Sequence, residues 1–460
     1  MKRLALIVCL AFGFALGNVE QRIADLEERM DAVEVESELS KVKFSLEFTT
    51  AMNNFQSDAR DASQSVAESL KWSAGLYLNM NANVNKYTKF TGRLSMTKAF
   101  GDLAWNPQIF PDPFSAGRGV GGSSAIYVER AYVDLFLGDY FALTFGRLPS
   151  TDGPGSLLRN SSARLSTYPA LMVNALGDGV VLTYKPMPKS FSDVYARIGF
   201  AKAYQAVYGA DVQSGGSIFG GLGVNKTADM DLWYAGVETP FLPSSFGKSL
   251  LMLGYIYLND YSIPDYALIN ALTALGQYTA PTPGNPGSHP QLQNGRATKM
   301  GNLQYLNIHL EHNNAFNTGL HWFLSYSMNS GSGSSDAPIT TLAAALPNFR
   351  LNTNQGWALH FGARYDFSSY FKLGYEFFHG NKNWYAFSRV SINDPLNVRN
   401  TRGDVHDVYM IFQLDMYSFF RLSYTNQYHE YATVTFPSVA VATPPLKNRQ
   451  NIALSYTLRF

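Results

Sequence analysis

From residue 42 to the end, apolar residues recur at every second position in segments of about ten residues. The connections between those segments alternate in length. Period-two alternation describes strands with one apolar and one polar face. The segments fall at 42–52, 72–83, 87–99, 125–138, 140–148, 179–186, 193–203, 230–239, 249–260, 301–312, 317–329, 356–366, 370–380, 405–415, 417–428 and 449–460, sixteen in all. Short connections such as Gly138-Asp139 and Met416-Tyr417 alternate with long ones at 53–71, 100–124, 149–178, 204–229, 261–300, 330–355, 381–404 and 429–448. Short turns on one side and long loops on the other are what an antiparallel barrel spanning a membrane requires. The expected fold is all-β, an antiparallel transmembrane β-barrel of about 16 strands. An even number returns both ends of the chain to the short-turn side.

Face polarity separates this reading from a soluble sandwich. In 370–380, Phe371, Leu373, Tyr375 and Phe377 share one face, while Lys372, Gly374 and Glu376 share the other. In 417–428, Phe420, Leu422, Tyr424 and Tyr428 oppose Arg421, Ser423, Thr425 and Gln427. Tyr and Trp gather near segment ends, as interfacial girdles do. Charged residues make up 15% of the chain and aromatics 14%, where a soluble domain carries about 25% charge.

Both ends of the chain point to the cell envelope. Residues 1–17, MKRLALIVCLAFGFALG, have a basic start at Lys2 and Arg3, an apolar stretch and a small-residue end. They read as a secretory signal peptide. Cys9, the one cysteine, lies within it. The mature chain is therefore expected to hold no disulfide, thiolate metal site or thiol nucleophile. Residues 18–43 read as a periplasmic coiled-coil helix, with Val19, Ile23, Leu26, Met30 and Val33 forming a heptad seam. A helix this short needs partners, and the expected assembly is a homotrimer. The barrel domain is then 44–460, with 30 basic and 27 acidic residues, a formal +3 that weakly favours anions.

The last strand alternates Ile452, Leu454, Tyr456 and Leu458 and ends in Phe460. It resembles the carboxy-terminal signature of bacterial outer-membrane barrels. The resemblance implies that Phe460 is the barrel-assembly signal, read by the barrel-assembly machinery, and that outer-membrane lipid surrounds the barrel.

If apolar faces meet lipid, the polar faces line the pore. Expected pore-lining residues are Arg93, Arg130, Asp134, Arg197, Arg364, Asp366, Lys372, Glu376 and Arg421. Charges of both signs suit a wet channel that sorts solutes by size and field. The loop after the fifth strand, 149–178, contains the turn signal Asp152-Gly153-Pro154-Gly155. In general porins, which it resembles in position, this loop folds inward. Arg147, Asp152, Arg159 and Arg164 are the expected constriction residues.

Residues 127–155, YVERAYVDLFLGDYFALTFGRLPSTDGPG, with the later STYPAL and DGVVLTY, resemble a little-characterised family of outer-membrane barrels with a short amino-terminal coiled coil, classed among domains of unknown function. That likeness implies fold and location rather than a substrate.

No HExxH motif or Cys/His cluster calls for a metal. GVGG near Gly119 lacks the Lys-Ser or Lys-Thr of a phosphate cradle, and no basic tract points to nucleic acid. No cofactor and no enzymatic activity are expected. The expected function is passive diffusion of small polar solutes or ions through an outer-membrane porin-like channel. The alternatives are a hydrophobic-solute transporter, or a structural barrel that anchors the outer membrane through its coiled coil.

Overall fold

The structure, a computed structural model, describes residues 42–460 apart from 62, 64, 101–125, 150–152, 163–170, 175–176, 187–193, 205–229, 265–268, 270–271, 274–278, 281, 283–284, 286, 289–296, 334–350, 389 and 433–445. The expected signal peptide, the coiled-coil seam from Val19 to Val33, Asp152 and Arg164 lie outside the described residues.

Sixteen strands close one antiparallel barrel: β1 Val42–Ala59, β2 Val66–Asn85, β3 Thr88–Ala99, β4 Tyr127–Leu137, β5 Phe141–Leu148, β6 Gly177–Tyr184, β7 Tyr195–Tyr204, β8 Met230–Thr239, β9 Lys248–Pro264, β10 Ala297–Ala315, β11 Leu320–Gly333, β12 Gly356–Asp366, β13 Phe371–Gly380, β14 Gly403–Gln413, β15 Ser418–His429 and β16 Leu446–Arg459. Each strand pairs with its neighbours in the chain, and β1 pairs with β16 from Glu47↔Arg459 to Ala59↔Leu446. At the seam, Leu46 and Phe460 exchange backbone hydrogen bonds of 2.6 and 2.9 Å. Closure leaves no unpaired sheet edge, which a bilayer would not tolerate.

The alternation read from the sequence is the alternation of the wall. Leu359, Phe361 and Tyr365 point outward on β12, and His360, Gly362 and Arg364 point inward. Exposed aromatic rings gather at the short-turn end, among them Tyr140, Phe141, Tyr184, Phe246, Phe316, Phe367, Tyr370 and Tyr417.

Two boundaries differ from the sequence reading. β1 starts at Val42, so Val42 and Lys43 are strand rather than the end of a helix. The connection expected at 53–71 is instead mostly strand, because β1 runs on to Ala59 and β2 starts at Val66. Gln56, Ser57 and Asp58 pair with β16 above the apolar band. A hairpin standing in water keeps its backbone pairing but no longer needs an apolar face, so the period-two signal fades there.

The interior is occupied. Described parts of the long loops return into the barrel on the β8–β16 side. Met172, Val173, Leu272, Leu351 and Phe387 pack on the inward apolar residues Met230, Ile256, Leu258, Met300, Leu303 and Tyr305. A second cluster joins Leu171, Trp384, Ala386, Leu396 and Val398 to inward Ala358, Phe378 and Val405. The third and seventh long loops also pair with each other. Asn174 N–H donates to the Phe387 carbonyl at 2.6 Å, and Phe387 N–H donates to the Met172 carbonyl at 3.0 Å.

Candidate functional site

The site is the polar layer of the lumen and the two loops seated against it. Gly155, at φ 70°, starts a one-turn helix, α1 (Ser156–Arg159). A helix end leaves carbonyls without intrahelical partners. Here the barrel wall supplies donors to this turn. Arg364 on β12 donates to the Leu158 carbonyl at 2.7 Å. Arg459 on β16 donates to the carbonyls of Asn160 at 2.9 Å and Ser161 at 3.1 Å. Arg421 on β15 donates to Asn160 Oδ1 at 3.1 Å, and Lys372 on β13 donates to Ser161 Oγ at 2.9 Å. Cations at a helix C-terminus also match its dipole. Residues 153–162 of the third long loop thus lie inside the barrel, against β11–β16.

Arg159 leaves this turn in another direction and is buried. Its guanidinium meets Glu376 on β13 at 3.3 Å, and Glu376 also bonds His360 Nε2 on β12 at 3.0 Å. Burial opposes the charge on Arg159, but the carboxylates of Glu376, Asp407 and Asp394 outweigh it and raise its pKa above the ordinary arginine value. Glu376 Oε1 has no protein partner. A cavity of about 30 Å³ lies beside it, lined by Asn53, Arg159, His360, Asp394, Asp407 and Arg421 among others. That is room for one or two waters, which polar walls hold well.

The seventh long loop, 381–402, forms the far wall of that cavity with Asp394 and Leu396. Trp384 is fully buried, and its Nε1 donates to the Arg399 carbonyl at 2.7 Å. Asp394 pairs with Arg399 at 3.3 Å and accepts from the Val398 N–H at 3.0 Å. Arg402 Nε donates to the Trp384 carbonyl at 2.8 Å. Burial pulls the Arg402 guanidinium down to about 10, against the attraction of nearby Tyr385.

A second charged group lies on β1–β4. Arg93 bonds Glu47 at 2.8 Å and approaches Glu129 at 3.5 Å, with its guanidinium 4.4 Å from the Tyr77 ring centre. Arg130 meets Glu129 at 3.0 Å. Two successive residues reach this group because the register shifts there. Arg93 opposes Arg130 but Leu94 opposes Val128, leaving Glu129 as the extra residue of a bulge. Elsewhere on the wall, Arg197 pairs with Glu238 at 3.2 Å, and Thr144 donates to Asp134 at 2.6 Å. Arg364 also pairs with Asp366 at 2.7 Å.

The nine residues expected to line the pore all sit on the inward face. Arg159 is inside as well. Arg147 is not. It follows Leu143 and Phe145 on the outward face of β5 and forms a two-bond pair with Asp178 of β6, at 2.9 and 2.8 Å. The parity of β5, where Arg147 opposes outward Ala131, settles its direction. Sequence reasoning missed Glu129, Asp394 and Arg399. The run Trp384-Tyr385-Ala386-Phe387 is too apolar for a loop in water and was the available signal for the seventh loop.

Residues 66–447 match the family described as "Protein of unknown function (DUF3373)". The chain belongs to that family. No curated protein matches it. Among solved structures it is similar to the outer membrane protein OmpT of Vibrio cholerae, at 12% identity and TM-score 0.45, covering 91% of this chain and 97% of that one. It is similar to OprB of Pseudomonas putida, at 11% identity and TM-score 0.48, covering 94% and 97%. It is also similar to the outer membrane channel DcaP of Acinetobacter baumannii, at 11% and TM-score 0.44, covering 91% and 97%. At these scores none of the three bears on what the family does.

Gly155 gives a direct handle on the docked turn. A Cβ there would overlap the Phe323 ring, and φ of +70° is costly for an L residue. Gly155→Ala is expected to cost about 1–2 kcal/mol from the backbone alone. In the folded barrel it should speed tryptic cleavage after Arg159 relative to the wild type.

Proposed function

We propose that the chain is an outer-membrane channel of porin type, through which small polar solutes and ions diffuse passively with a weak preference for anions. The observation that carries this reading is the wall itself. Its outward face is mostly apolar, while its inward face carries paired charges of both signs on β1–β3, β7–β8 and β12–β13. Such a lumen is wet and sorts by size and field. In this reading the third loop narrows the passage through Arg159, set against Glu376. Residues 1–17 direct secretion, a helix that ends before β1 stands in the periplasm and joins a homotrimer, and Phe460 serves barrel assembly. No covalent step is involved.

The test is swelling of liposomes that hold the full-length mature protein. Rates should fall steadily through a series of neutral sugars of growing size. Absence of swelling with the smallest sugar, in liposomes holding folded barrels, would sink the reading.

One observation favours a second reading, transport of apolar solutes. The inward face of β8–β10 is apolar toward the long loops, with Met230, Ile256, Leu258, Met300 and Leu303 side by side. Uptake of an apolar dye without sugar-dependent swelling would select it.

A further inference from the structure

The outer face of the barrel is not uniform. On β12 the outward apolar positions run from Trp357 to Tyr365, eight residue steps. On β5–β8 they run only four steps: Phe141 to Phe145, Val180 to Tyr184, Ala196 to Phe200 and Trp233 to Val237. At about 3.3 Å per residue and a tilt near 40°, that is roughly 20 Å of apolar height on β12 and roughly 10 Å on β5–β8. The lipid band needs about 25 Å.

The short band ends in one row of charges. Arg147, Asp178, Lys202 and Asp231 are direct cross-strand neighbours on β5, β6, β7 and β8. Arg147 pairs with Asp178 at 2.8 Å and Lys202 with Asp231 at 2.6 Å. All four are partly exposed on the outward face. Uncharged Ala131 and Asn259 flank the row on β4 and β9. Charged groups facing hydrocarbon are disfavoured most near its middle. Four of them in one row, on four adjacent strands that each have a short apolar band, mark a face that lipid does not cover well.

We infer that the outward face of β5–β8 is the contact between copies of this chain, with β6 and β7 nearest a three-fold axis. The inference rests on the homotrimer reading above and adds which face is used. The order of the charges favours this occupant. A three-fold ring sets one half of the face, β5–β6, against the other half, β7–β8, of the next copy. The row then places Asp178 against Lys202 near the axis, and Arg147 against Asp231 farther out. Both contacts join opposite charges, and they extend the pairs within each copy into a closed ring of alternating sign. A flat row of one sign would repel its own copy, and a wholly apolar face would serve lipid equally well.

The test uses single cysteines in a Cys9→Ser background, with a short bismaleimide added to outer-membrane vesicles. Val180→Cys lies on the proposed face, and Leu422→Cys lies on β15 across the barrel. Val180→Cys should give cross-linked dimers, and Leu422→Cys should stay monomeric. The inference is overturned if Leu422→Cys cross-links and Val180→Cys does not, or if neither does. A second test reverses all four charges: Arg147→Asp, Asp178→Arg, Lys202→Asp and Asp231→Lys together. Chains reversed in this way should assemble with one another but not with wild-type chains in mixed expression. Free mixing in differently tagged pull-downs overturns the inference. Single-channel conductance of the same variants keeps the two claims apart. Conducting barrels without cross-links refute the contact and leave the channel, whereas cross-linked barrels that do not conduct refute the channel and leave the contact.

Discussion

Replacing residues 383–401 with a short glycine-serine linker should leave the barrel folded and raise its single-channel conductance above the wild-type level. The replaced segment contributes nothing to the ladder of strands, since β13 ends at Gly380 and β14 begins at Gly403. It does contribute the interior: Trp384, Ala386, Leu396 and Val398 in one apolar cluster, and Phe387 against the other. It also removes the Phe387 hydrogen bonds that hold the third loop at Met172 and Asn174. Truncating a fully buried Trp alone costs about 3–5 kcal/mol, so Trp384→Ala should move conductance in the same direction by a smaller step. Heat-modifiable migration on gels checks that the barrel persists. Unchanged conductance in a folded deletion variant would mean that solutes pass along a route this loop does not touch.

Glu376→Ala should release the third loop. Glu376 is the carboxylate that Arg159 contacts, in a place where neither group reaches bulk water. Removing one partner of a buried pair costs about 3–5 kcal/mol because the other charge is left in low dielectric. Asp407 and Asp394 remain near Arg159 and moderate the loss, so the lower end applies. About 3 kcal/mol is roughly a hundredfold change in the docked population. The barrel ladder is untouched, so the change should appear as noisier, larger conductance steps and faster tryptic cleavage after Arg159. Glu376→Gln keeps acceptors for Arg159 and His360 and should fall between the variant and the wild type. Wild-type behaviour of both the Ala and the Gln variant would locate the anchor in the wall-to-carbonyl bonds of Arg364 and Arg459 instead.

The wall was legible in the sequence because a membrane imposes the period. Each strand of the barrel must hide its backbone polar groups in a ladder and turn apolar side chains to lipid, so Phe371, Leu373, Tyr375 and Phe377 announce β13 without help from the rest of the chain. The upper hairpin of β1 and β2 was not legible, since Gln56 to Asp58 carry no apolar signal. The inward side chains of the wall follow from the same parity. Parity also places Arg147 outward, with Leu143 and Phe145, within the 140–148 segment. The partners are a different matter. Glu376 meeting both Arg159 and His360 joins residues more than 200 positions apart, through a loop whose entry into the barrel no periodicity records. The bulge that turns Glu129 inward beside Arg130 is likewise set by the register with β3, which one strand's sequence does not contain.

Single-channel recording of the refolded mature protein in a planar bilayer, under a salt gradient, tests the central claim most directly. A wet, charge-lined lumen predicts stable conductance steps and a reversal potential on the anion side of zero. Silence from a barrel shown to be folded by heat-modifiable migration would contradict it.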